Sequence, residues 1–113
     1  MAGERGLADL AGFHFLRGNV LARMNRLPEA EVEFAEEVRH FPWYVDAWPA
    51  LAMARASQNR VPEAKKTIDD MVRTNGSPQA YALAVRTLTI LGDTAGASRY
   101  RSEGARKHPR FGK

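Results

Sequence analysis

At 113 residues and 44% hydrophobic composition, the chain has the size of one globular domain and is too apolar for a disordered segment. It contains no Cys, which excludes a disulfide framework, a thiolate nucleophile and any Cys-based metal site. The formal charge of +4 keeps nucleic acid and acidic lipid in view as partners, whereas no run reaches the roughly 18 apolar residues that would cross a bilayer. The N-terminus also lacks a signal-peptide pattern, so a soluble, cytoplasmic protein is the expectation.

In chain order, the first informative segment is Asn25-Arg26-Leu27-Pro28-Glu29-Ala30. It returns 34 residues later as Asn59-Arg60-Val61-Pro62-Glu63-Ala64, and 33 residues after that, more weakly, as Gly92-Asp93-Thr94-Ala95-Gly96-Ala97. Flanking positions keep this register: His14, Trp48 and Tyr81; Gly18, Ala52 and Val85; Phe34, Ile68 and Arg101. A linker shortened near Thr74 to Pro78 accounts for the missing residue. A period of this length marks a small supersecondary unit that is stacked on itself, with repeats at roughly 11–44, 45–77 and 78–110 of a single domain covering 1–113.

Each unit reads as two helices. Trp48, Leu51, Ala52 and Arg55 fall at i, i+3, i+4 and i+7, and Ala64, Ile68, Met71 and Val72 renew the stripe after the turn. Asn25, Asn59 and Gly92 stand where a helix ends in the left-handed conformation. Pro28 and Pro62 suit a first helical turn, and Glu29 and Glu63 complement the positive end of the helix dipole there.

The second unit, with Trp48-x-x-Leu51-Ala52 and Ala64-x-x-x-Ile68, resembles the tetratricopeptide repeat (TPR). The first supplies Arg17-Gly18, Ala30-x-x-x-Phe34 and Pro42, with His14 in the aromatic slot. The third has Tyr81, Ala84, Ala97 and Pro109, with Arg101 where a bulky apolar residue is expected. The resemblance implies an all-α, right-handed α-α superhelix (solenoid) of three helix-turn-helix repeats, six helices in all. It also implies that the first helix of each pair lines a concave, partner-binding side. The residues expected on that face are Phe15, Leu16, Asn19, Arg23, Ala50, Met53, Leu83 and Arg86. Of the Lys/Asn/Arg clamp that chaperone-binding TPR domains use for a terminal carboxylate, only Asn19 is matched, so a chaperone tail is not the expected ligand.

Catalysis needs convergent groups, and few are present. His14, His40 and His108 include no i, i+4 pair for a metal, and Gly76-Ser77-Pro78 reads as an inter-repeat loop rather than a phosphate cradle. His14 is expected to pack in the aromatic slot, and the crowd Glu29, Glu31, Glu33, Glu36 and Glu37 to form a solvated outer face. The chain is thus expected to be no enzyme, to need no cofactor and to bind a protein or peptide partner, with self-association through the apolar groove also open. Two alternatives stand beside this. One is a non-catalytic C-terminal accessory segment of a larger bacterial enzyme. The other is a weak nucleic-acid binder through the basic end, Arg99 to Lys113, although no stacking platform accompanies those basic residues.

Overall fold

The computed structural model describes residues 11–110. They form six α-helices and no strand: α1 (Phe13–Arg23), α2 (Leu27–His40), α3 (Ala47–Ala56), α4 (Val61–Asn75), α5 (Pro78–Ile90) and α6 (Thr94–Lys107). None of them is long and apolar enough to cross a membrane.

The three intra-pair turns are chemically the same object. Asn25, Asn59 and Gly92 have φ of 59°, 66° and 84°. In each turn the following N–H reaches back five residues (Arg26 to Leu21 O, 2.9 Å; Arg60 to Arg55 O, 3.1 Å; Asp93 to Leu88 O, 2.8 Å). The turn residue itself donates three residues back, to Ala22, Ala56 or Thr89 O. This is the Schellman arrangement, which satisfies the last carbonyls of the first helix and leaves the chain aimed for an antiparallel return. Pro28 and Pro62 sit in the first turn of α2 and α4. The third pair lacks that proline, and the Asp93 side chain caps α6 instead, accepting from Gly96 N at 2.9 Å. Replacing Asn59 with Gly should leave the melting temperature almost unchanged, whereas Asn59→Val should cost about 1–2 kcal/mol, since a β-branched side chain is strained at positive φ. Thermal melts of the two variants check this; equal melting would remove the left-handed turn from the account.

Helices pack in sequence, α1 on α2, α2 on α3, and so on to α6. The first helices also touch one another, α1 with α3 and α3 with α5, while α2, α4 and α6 make no such approach. The first helices therefore line the tighter side of the stack. Close approach within the first pair depends on Gly18, where a Cβ would sit 2.5 Å from the Phe34 ring.

The core runs through both junctions. Phe34 packs with Leu51 and Ala54 of the next pair, and Ala52, Ile68 and Val72 pack with Ala80, Tyr81 and Ala84 of the third. Trp48 is buried, and its Nε1–H donates to Pro42 O at 2.9 Å. That same carbonyl accepts from Asn75 Nδ2 at 3.1 Å. One unit later, Gly76 O stands 2.9 Å from His108 Nε2, which must be the donor because a carbonyl only accepts. Each inter-pair linker is thus tied to the end of the helix pair that follows it.

The acidic helix departs from the expected solvated face. Glu37 is fully buried, and its carboxylate accepts from Gly12 N at 2.6 Å and Phe15 N at 3.2 Å. An anion from α2 therefore caps the positive end of α1, 25 residues earlier in the chain. His14 departs too. It does not fill the aromatic slot as Trp48 and Tyr81 do, because its Nδ1 lies 2.7 Å from Glu33 Oε1 and its ring stacks on His40. A polar imidazole with a carboxylate in reach stays at the rim rather than losing that partner in the core.

Candidate functional site on the inner helix row

Two adjoining hollows lie along the inner row. One, of about 310 Å³, is bounded by Asn19 and Ala22 of α1, Leu27 and Phe34 of α2, and Ala50, Met53 and Ala54 of α3, with Ser57 at its end. The next, of about 230 Å³, runs from Asp46, Pro49, Ala50 and Met53 to Leu83, Arg86, Thr87 and Ile90 of α5. Ala50 and Met53 line both. They form the saddle between the hollows because α3 is the middle helix of the row and its period places both on one side, at i and i+3.

Of the eight residues expected on this face, five line these hollows: Asn19, Ala50, Met53, Leu83 and Arg86. Phe15 turns inward, with its ring 6.0 Å from Phe34 and 5.5 Å from Tyr44. It supports α1 from below. Leu16 is 65% exposed and belongs to a separate hollow on the outer edge of α1, with Val20 and Met24. Arg23 is exposed at the end of α1 and lines neither inner hollow.

The walls are mostly apolar, with polar groups at the rims. Asp46 and Arg86 border the same hollow without forming an ion pair with each other or with any other described residue. Asn19 and Ser57 offer amide and hydroxyl groups at the far end. Such a surface can take apolar side chains, adapt through the flexible Met53 thioether and fix orientation by charge at Asp46 and Arg86. Asp46 was not legible in the sequence as a site residue, because it belongs to the linker before α3 and carries no helical periodicity.

The site is held in shape by an ionic network behind it. Glu31 of α2 accepts from Arg55 Nε at 3.0 Å, from Gln58 Nε2 at 3.0 Å and from Arg60, while Arg55 Nη1 donates to Thr67 Oγ1 at 2.7 Å. The first and second pairs are thereby joined around the end of α3. Partial burial works against the Glu31 charge, but the hydrogen bonds from Arg55, Arg60 and Gln58 outweigh it and hold the carboxyl below its usual range. A depressed carboxyl pKa contributes stability that is present above the unfolded value and lost as pH falls through the folded one. Glu31→Gln should therefore melt below the parent at neutral pH, and the gap should close as pH drops from about 5 to about 3. A gap that stays constant across that range would mean the network does not act through charge.

Part of the basic end is engaged with its own chain. Arg99 lies over the Tyr100 ring at 4.9 Å and 3.6 Å from Asp69, and Lys107 is 3.3 Å from Glu103. Tyr100 donates to Asp69, and burial, reinforced by that acceptor, pushes its hydroxyl pKa up. Among the described residues, no group of three or more His, Asp or Glu could hold a metal ion.

No protein-family model and no curated protein sequence matches the chain.

Proposed function

We propose that the chain is a TPR-like protein-interaction module that binds a peptide or a partner helix along α1, α3 and α5, and that it works by binding rather than by catalysis. The observation that carries this reading is the shared saddle: Ala50 and Met53 border both inner hollows, so one ligand segment crossing α3 would fill the two together. The resemblance of the repeat to TPR units supports the same face, because there too the first helices receive the ligand. Apolar side chains of the ligand would enter the hollows, and Asp46 and Arg86 would set its direction. A face this small buries a short segment, so affinities on the order of micromolar are expected.

The test is selection of binders from a random peptide library on the intact chain, followed by titration of the winners against variants. Met53→Glu and Arg86→Glu should each weaken binding about tenfold or more, since each places charge where an apolar or acidic ligand group would sit. Both should melt within a few degrees of the parent. Ser98→Lys, on the exposed side of α6, should bind as the parent does. Undiminished binding by Met53→Glu would place the ligand elsewhere.

A further inference from the structure

At the far end of the stack the repeat loses the large apolar residue of its second helix. Gly18, Phe34 and Val38 of the first pair share their register with Ala52, Ile68 and Val72 of the second and with Val85, Arg101 and Ala105 of the third. At the two interior junctions this surface is covered by the next first helix: Phe34 is 2% exposed beneath α3, and Ile68 is 0% exposed beneath α5. On the third pair the same surface is an open hollow of about 670 Å³, walled by Pro78, Ala82, Val85 and Ala105 and bordered by Arg101 and Arg110. Neither arginine has an ion-pair or hydrogen-bond partner among the described residues.

Three of the four ion pairs across the interior junctions run one way, Lys65 with Asp93 at 3.8 Å being the reverse. In those three the earlier pair presents an acid and the later pair a base: Glu31 meets Arg55 and Arg60, and Asp69 meets Arg99. At the far end the presented residues are bases instead, so an element covering that hollow must bring the acid. A second copy stacking end to end does not fit. Its incoming helix would be α1, and the register places Arg17 at the position that Leu51 and Ala84 hold, 3% and 0% exposed, in the covered junctions. Arg17 would then be pressed toward Arg101, like charge against like charge.

We propose that the hollow over Val85 and Ala105 is a second docking surface, separate from the inner helix row, for an acidic amphipathic helix of another protein. Small apolar side chains of that helix lie on Val85 and Ala105, and its Asp or Glu residues pair with Arg101 and Arg110. Arg101 replaces the large apolar side chain that closes the interior junctions, so affinity here depends on charge as well as on burial.

Helix α5 covers the equivalent surface of the second pair, so its sequence, Pro78–Ile90, is the natural probe. A fluorescent acidic peptide carrying Arg86→Glu and Thr89→Glu, and a basic one carrying Arg86→Lys and Thr89→Lys, are titrated into the intact chain by anisotropy. The acidic probe should bind saturably, and lose about tenfold or more in affinity at about 0.5 M salt and against the Arg101→Glu/Arg110→Glu double variant. That variant should prefer the basic probe. Both arginines are exposed, so its melting should match the parent's. Met53→Glu should leave the acidic probe bound, which separates this surface from the inner row. The proposal is overturned if the parent binds both probes alike or neither, if the double variant keeps the parent's preference, or if Met53→Glu abolishes binding. It is also overturned if sedimentation shows a dimer of the parent that the double variant loses, which would assign the surface to a second copy.

Discussion

Trp48→Ala should lower stability by about 3–5 kcal/mol, the range for deleting a buried large aromatic. Trp48 is 8% exposed in the cluster formed by the second and third pairs, and its indole N–H holds the Pro42 carbonyl between α2 and α3. The substitution opens a cavity and releases a linker together. Trp48→Phe keeps most of the packing and should cost far less. Trp43 is the internal control: it is 60% exposed, and Trp43→Ala should stay within about 1 kcal/mol of the parent. Denaturant melts decide the matter, and a loss under about 1 kcal/mol for Trp48→Ala would mean that the junction is not closed by this residue.

Glu37→Ala should cost about 2–4 kcal/mol, because it strands the N–H groups of Gly12 and Phe15 at the start of α1. Glu37→Met is the sharper variant, since Met71 holds the same register in the second pair and is equally buried. If the carboxylate only filled space, methionine would restore the parent's stability. If it caps α1, Glu37→Met should remain destabilised, with amide exchange faster in α1 while α5 and α6 stay protected. Gly12 reinforces the second outcome: its φ of 94° lets the N–H aim at Glu37, and a Cβ there would lie 2.9 Å from the Tyr44 ring.

The parts of this structure that were legible in the sequence are those set by neighbours along the chain. Asn25 and Asn59 announce a left-handed turn because few other residues accept positive φ, and the apolar stripes of α3 and α4 follow from helical period alone. What escaped is set by partners distant in sequence. Five glutamates on one helix look like a solvated face, and nothing local marks Glu37 as the one that meets the N-terminus of α1. His14 occupies the register of Trp48, but Glu33 on the facing helix gives it a carboxylate partner where the second pair has Thr67. On the inner row, Phe15 and Leu16 are neighbours in the chain and separate in space, one beneath α1 and one on its outer edge, because α1 carries apolar residues on both sides. Met53 and Ala50 emerged as expected candidates since α3 is flanked on both sides and its inner side can be read from the covered ones.

The most direct test of binding on the inner row is the methyl NMR spectrum of the chain labelled at its methionine ε-carbons. The three methionines within the described residues report three places: Met53 on the saddle, Met71 in the core and Met24 on the outer edge of α1. Titration with a library-selected peptide should move the Met53 signal in proportion to occupancy and leave Met24 and Met71 in place. A spectrum in which Met24 moves and Met53 does not would contradict the account and put the interface on the outer edge of α1.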